Sequence, residues 1–305
     1  MTTDRGAALQ LDRESRGTRY YRNAVERHWD PFDIDLSEDS ANMTAYLRET
    51  EQPAELFDVF RRGVARFGAG EQAVTEDLAP LANALEDIDD QLFVTTQLYE
   101  EGKHTDFFDR YWRTVVHDIE EEMGFERSSP TDDQWFNAAY DELFERNERA
   151  MERLLHEPTP ENFARAYAHY HLVIEGILAQ AGYYGMQQSF APDRHPDLPH
   201  LPGLYDGFTH IRQDEGRHVG FGMAKLKELV VSGVVDPQLL DDVVTDLMPL
   251  VNEIAANEDE QLTERGVQPD ELRQFASEKH VQRMGQIRDA DADLPDVETL
   301  TELEG

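Results

Sequence analysis

The sequence predicts an all-α fold, a helical bundle with additional helices packed around it, and three observations support this. Apolar residues recur at helical spacing over most of positions 53–287. No alternating strand pattern of convincing length interrupts them. Four of the helical segments carry glutamates suited to a buried site: Glu71 and Glu175 stand alone, while Glu101 and Glu215 open the Glu-x-x-His pairs Glu101–His104 and Glu215–His218.

Taken in order, residues 1–50 read as a polar, irregular N-terminal segment that packs on the bundle, with Trp29-Asp-Pro-Phe-Asp-Ile-Asp-Leu36 as an extended anchor. The helical domain covers 51–287. Its first helix runs from about 53 to 87, with a bend or break expected at Gly68 and Gly70. A second covers 90–123 and contains Glu101 and His104, and a third runs from about 132 to 155. Thr159 caps a fourth, with Pro160 at its first position; it carries Glu175 and reaches about 185. Pro192, Pro196, Pro199 and Pro202 mark a loop. The next helix spans about 203–231, and Asp236-Pro237 caps another that is expected to kink at Pro249. A last helix covers 268–287, before an acidic tail over 288–305 that is expected to be mobile.

Residues three apart lie on one face of a helix, so each Glu-x-x-His presents one carboxylate oxygen and one imidazole nitrogen to the same point. With Glu at roughly a tenth of positions, about one such pair is expected by chance, and surface Glu/His pairs are ordinarily solvated decoration. Context raises both pairs above that background. Leu98 and Phe108 lie on or beside the first pair's face, and Ile211, Phe221 and Gly222 on or beside the second. A carboxylate buried there needs a partner cation, because an isolated buried charge is costly. His169 and His171 are assigned to other faces, with no metal role.

The chain has 64 acidic and 28 basic residues, a net charge of -36. Such a surface repels nucleic acid and anionic lipid, which excludes both as partners. Disorder does not follow, since 39% of residues are hydrophobic and 10% aromatic, enough to build a core. Acid spread along nearly every segment instead implies a protein adapted to very high salt, where screening removes self-repulsion. With no cysteine there are no disulfides, thiolate metal sites or thiol nucleophiles. No apolar run reaches about 18 residues and the N-terminus lacks an apolar signal region, so a cytoplasmic protein with no membrane span is expected. No Gly-rich phosphate loop or serine-nucleophile motif is present.

One Glu from each of two helices with one Glu-x-x-His from each of two others is the known ligand pattern of ferritin-like di-metal proteins. More closely, Gly70-Glu-Gln-Ala-Val-Thr-Glu-Asp-Leu78, Glu100-Glu-Gly-Lys-His-Thr-Asp-Phe-Phe108, Tyr170-His-Leu-Val-Ile-Glu-Gly176 and Asp214-Glu-Gly-Arg-His218 resemble the ribonucleotide reductase small-subunit superfamily. Within it they look like the ligand-binding oxidase branch, and the resemblance covers about residues 25–225. That likeness implies a manganese/iron centre, with a di-iron pair also admissible, a bound long-chain fatty acid and a Val–Tyr ether cross-link. Glu71, Glu101 and His104 would hold manganese; Glu175, Glu215 and His218 would hold iron, with Glu101 bridging. Val74 and Tyr170 would be the cross-linked pair. Tyr183, two turns after Glu175, is read either as a further phenol near the metals or as a core tyrosine. Trp29, Asp214 and His104 match the superfamily's chain from indole through carboxylate to metal-bound imidazole. The implied activity is O2-dependent two-electron C–H oxidation by a homodimer.

Phe108 stands one turn after the first metal histidine, where many reductase subunits carry a radical tyrosine and some manganese/iron ones also carry Phe, so this position does not separate the branches. The absence of Tyr, Trp or Phe after His280 counts against a reductase subunit, and Glu71 with Val74 and Tyr170 at matching spacing favours the oxidase branch. The alternatives are a ribonucleoside-diphosphate reductase small subunit, a non-catalytic ferritin-like metal or lipid carrier, and a metal-free structural bundle.

Overall fold

A computed structural model describes residues 11–191, 194–256, 266–296 and Leu300. Among these residues every regular element is a helix. No described helix is long and apolar enough to cross a membrane.

The chain enters through α1 (Arg16–Glu26), capped by Ser15, whose hydroxyl accepts the Thr18 amide at 3.1 Å. A 3₁₀ turn at Pro31–Asp33 leads to α2 (Asp39–Arg48). Two helices therefore stand in a segment expected to be irregular. The Trp29–Leu36 anchor is as expected: Trp29, Ile34 and Leu36 bury themselves against the bundle.

The long helix α3 (Pro53–Asp77) is followed by the short α4 (Ala79–Ala84). The expected break at Gly68 and Gly70 is absent. A Cβ on Gly68 would lie 3.0 Å from Phe108, and one on Gly70 would lie 3.4 Å from Tyr140 and Phe144. Close packing against aromatic rings, rather than a change of direction, is what these glycines serve, and tertiary context overrides their weak helix propensity. The chain turns instead at Leu78, just before Pro80.

Helix α5 (Ile88–Tyr111) runs into a π turn, Trp112–Val116, and on into α6 (His117–Met123), which ends on left-handed Gly124 (φ 70°). Asn137 then caps α7 (Ala138–Arg153). Thr159 caps α8 (Pro160–Tyr167) with its Oγ1 accepting from Asn162 N, as its sequence predicts. The same rod continues as a π-helical segment, Ala168–Ala179, and then as α9 (Gln180–Phe190). Beyond the proline loop come α10 (Pro202–Val231), α11 (Gln238–Ala256), which contains Pro249, and α12 (Pro269–Arg288).

Helices α3, α5 and α10 and the π segment make the central bundle. Two apolar clusters fill it. One is built around Phe93, Leu143, Tyr170 and Phe221, the other around Phe57, Phe107, Trp112 and Phe208. Where α10 crosses the π segment, Gly222 lets the backbones close: a Cβ there would lie 2.2 Å from the His171 Cβ. Past α12, Lys227 Nζ gathers the carbonyls of Gln286 (3.1 Å), Asp289 (2.6 Å) and Ala292 (2.5 Å), and Leu294 is buried. The remainder of the acidic tail, 297–299 and 301–305, lies outside the described residues.

Candidate metal centre

The four central elements bring all six sequence-predicted ligands to one point. Glu71 comes from α3, Glu101 and His104 from α5, Glu175 from the π segment, and Glu215 and His218 from α10. None is more than 5% exposed. Their ligand atoms form two overlapping groups, Glu71/Glu101/His104/Glu215 and Glu101/Glu175/Glu215/His218, each with atoms within 4.8 Å of one another. Glu101 and Glu215 belong to both groups, so two carboxylates, rather than Glu101 alone, stand between the two positions.

Both imidazoles turn Nδ1 inward. His104 Nδ1 lies 3.2 Å from Glu71 Oε2 and 3.5 Å from both Glu101 Oε2 and Glu215 Oε1. His218 Nδ1 lies 3.0 Å from Glu101 Oε1 and 3.3 Å from Glu175 Oε1. The outer nitrogens are held by acids. His104 Nε2 contacts Asp214 Oδ2 at 3.1 Å, which also accepts from Trp29 Nε1 at 2.8 Å; His218 Nε2 contacts Glu100 Oε2 at 2.9 Å. An acid behind each ring fixes the tautomer and leaves Nδ1 for a metal.

The electrostatics are those of a site suited to cations. Burial and the charges of Glu175 and Glu101 hold Glu215 well above the usual carboxylate range, and burial raises Glu175 to about 7. Burial alone would also raise Glu101, yet His218 and His104 hold it well below. The Oε2 atoms of Glu101, Glu175 and Glu215, together with His218 Nδ1, are buried without a hydrogen bond of good geometry. Orphaned buried acceptors are costly, and here they converge. Four carboxylates with two imidazoles suit two divalent first-row ions.

Two phenols border the cluster. Tyr170 donates to Glu101 Oε1 at 2.7 Å, and Tyr183 donates to Glu71 Oε1 at 2.7 Å. Burial raises both phenols well above 10, so both stay protonated. Val74 is buried one turn after Glu71, in the same apolar cluster as Tyr170. Phe108 packs its ring parallel to Phe67, with centroids 5.8 Å apart.

The sequence reading assigns no role to Gln97, Glu100, Lys103 or Arg217, and all four serve the centre. Gln97 Nε2 donates to Glu175 Oε1 at 3.1 Å and to the Tyr170 hydroxyl at 3.3 Å. Arg217 bonds both Glu100 and Asp214, tying the two outer acids together. Lys103 Nζ lies 2.8 Å from Asp214 Oδ2 and 4.6 Å over the Trp29 ring. A signal for three of them was present: Glu100-Glu-Gly-Lys-His104 and Asp214-Glu-Gly-Arg-His218 repeat one order, acid, Glu, Gly, base, His. The repeat is exchanged in space, since the first acid of each copy supports the histidine of the other.

An apolar cavity of about 440 Å³ opens on the cluster. Glu71, Glu101, Glu175 and Glu215 stand at one side of it, and Phe67, Val74, Phe144, Ile174, Met248 and Leu272 are among its walls. Its size is that of a small-molecule site, which spans about 300–1,000 Å³.

Comparisons with known proteins agree with this geometry. The family model described as ribonucleotide reductase, small chain, matches residues 15–282. Among solved structures, a valine-to-isoleucine variant of R2-like ligand-binding oxidase with anaerobically reconstituted Mn/Fe cofactor is 30% identical. It superposes with a TM-score of 0.77 over 92% of this chain and 96% of that one. A valine-to-leucine variant with the same cofactor treatment is 28% identical, with a TM-score of 0.77 over 90% and 94%. A tyrosine-to-phenylalanine variant with aerobically reconstituted Mn/Fe cofactor is 29% identical, with a TM-score of 0.75 over 90% and 94%. Fold, ligand set and likeness converge: the chain belongs to the ribonucleotide reductase small-chain family, in its R2-like ligand-binding oxidase branch.

Proposed function

We propose that this chain is a manganese/iron oxidase that binds a long-chain fatty acid and links Val74 to Tyr170 through an ether, acting as a homodimer. The observation that carries the reading is the buried cluster of four carboxylates and two imidazoles opening onto an apolar cavity. Glu71, Glu101 and His104 would hold manganese and Glu175, Glu215 and His218 would hold iron; Glu101 and Glu215 belong to both groups of ligand atoms. The solved relatives carry Mn/Fe cofactors, which supports the choice of metals.

Bound there, a reduced metal pair would supply O2 activation and two of the four electrons that take O2 to water; the other two would come from forming the link. Forming that link removes one hydrogen from a Val74 side-chain carbon and one from the Tyr170 hydroxyl, and joins carbon to oxygen. Tyr170 is held for this by its donation to Glu101 Oε1 and by Gln97 Nε2, which donates to the phenolic oxygen; the two hydrogens removed leave in the water formed from O2. Trp29 and Asp214, bonded in line to His104, offer a route for electrons from outside. The apolar walls exclude water and hold the fatty-acid tail, with its carboxylate directed to the metals.

The test is to load the chain anaerobically with Mn(II) and Fe(II) in high salt, admit air, and analyse the peptides by mass spectrometry. The expected product joins the Val74 and Tyr170 peptides and is lighter than their sum by two hydrogens. Unlinked peptides from a fully loaded protein would reject the oxidase reading in favour of a reductase subunit or a carrier.

A further inference from the structure

Arg283 is a buried arginine outside the metal cluster, 9% exposed, and it makes no ion pair among the described residues. Its Nη1 donates to the carbonyl of Gly176, the residue directly after Glu175. A guanidinium taken out of water for one backbone carbonyl is an expensive arrangement, so the carbonyl it holds has to matter.

The carbonyl belongs to the π segment, and π turns are wider than α turns and occur frequently at functional sites. Only glycine leaves room for the Arg283 head here: a Cβ on residue 176 would lie 3.1 Å from Arg283 Nη1, and 2.7 Å from the His171 carbonyl oxygen one π turn earlier in the same segment. Glu175 has Oε1 on Gln97 at 3.1 Å and 3.3 Å from His218 Nδ1, while Oε2 has no hydrogen-bond partner. The direction of that free oxygen is set by the backbone that carries the side chain.

We propose that Arg283 is a positioning residue for the second metal position, clamping the π turn at Gly176 so that Glu175 faces His218 and Glu215. The clamp comes from α12, which carries none of the six ligands but supplies Leu272, Ala276 and His280 to the wall of the ligand cavity. Through Arg283, the docking of this cavity wall is joined to the geometry of one metal position and not of the other, since Glu71 and His104 lie on α3 and α5. The inference rests on the dinuclear reading.

The test is anaerobic titration of the full chain with Mn(II) alone, read by calorimetry and by electron paramagnetic resonance, which separates single ions from coupled pairs. In Arg283→Met the dissociation constant of the second ion is expected to rise about 10–100-fold, the usual cost of losing a residue that orients a ligand. The first ion should bind as before, and Arg283→Lys should recover part of the loss. Ile119→Val, which loosens the second apolar cluster on α6 away from α12 and the cavity, should lower thermal stability and leave the ratio of the two constants unchanged. Should Arg283→Met not fold, Arg283→Gln, too short to reach the carbonyl, is read in the same way. An unchanged ratio, or equal weakening of both ions, would overturn the proposal while leaving the dinuclear reading intact. A wild-type chain that binds fewer than two ions would overturn both.

Discussion

Asp77, at the end of α3, accepts from Asn147 Nδ2 at 2.8 Å, yet burial, with Glu148, Glu76 and Glu152 close by, pushes its pKa up to about 6. Its native pKa lies above the ordinary value of 3.8, so between those values the folded chain binds more protons than the unfolded one. Stability from this group is therefore full at low pH, falls as pH rises through that window, and is lost above it. Replacing Asp77 with Asn keeps an acceptor for Asn147 and removes the charge. The expected gain at pH 7.5 is on the order of 1–2 kcal/mol, scaled down because the carboxyl is partly exposed to screening water. Urea unfolding at pH 7.5 and again near pH 4 measures it. A midpoint shift of the same size at both pH values would refute the assignment. Legibility differs at this scale for a physical reason. Ligand spacing along one helix is written in the sequence, so Glu101, His104, Glu215 and His218 are found there. Gln97 and Glu100 act across helices, on Glu175 and His218, and only the repeated acid-Glu-Gly-base-His order hints at the latter.

The helices show the same division. The cap at Thr159 and the turn at Asp236, whose Oδ1 accepts from Gln238 N at 2.9 Å, follow from local chemistry and were readable. The helix α1 was not, because its buried face is Gly17, Thr18, Tyr20 and Ala24, too polar and too small to stand out as an apolar stripe. The π segment was also hidden, since one extra residue per turn does not disturb apolar periodicity in a stretch as uniformly buried as Leu172–Ile177. That segment depends on Gly222 for its approach to α10. In Gly222→Ala the new methyl meets the His171 Cβ, an atom that cannot move without its backbone. Overpacking of this kind costs about 1–3 kcal/mol. Because Glu175 lies on one side of this contact and Glu215 and His218 on the other, metal loading should fall as well. Urea unfolding of the metal-free variant, with metal content after reconstitution, checks both effects; an unchanged midpoint would show that the contact is softer than argued.

Over the whole molecule the dominant quantity is the excess of 36 negative charges. At the centre the outer acids are already answered, Glu100 by Arg217 and Asp214 by Arg217 and Lys103, so apart from the four carboxylates of the cluster the uncompensated charge is on the surface. Surface repulsion acts through water and is screened: the Debye length falls from about 10 Å in 0.1 M salt to about 3 Å in 1 M. The folded state concentrates these charges more than the unfolded chain does, so screening should favour folding. The melting temperature is expected to rise on the order of 5–10 °C between 0.1 and 1 M KCl, taking ~2–4 °C per kcal/mol for a chain of this size. The form of the curve identifies the cause. Screening is nearly complete by about 1 M, so the rise should flatten there. Salt acting by exclusion from apolar surface would continue to raise stability at higher concentration. A melting temperature that is flat from 0.1 M upward would mean that the acid is spaced widely enough to tolerate low salt, and the inference of adaptation to high salt would fall with it.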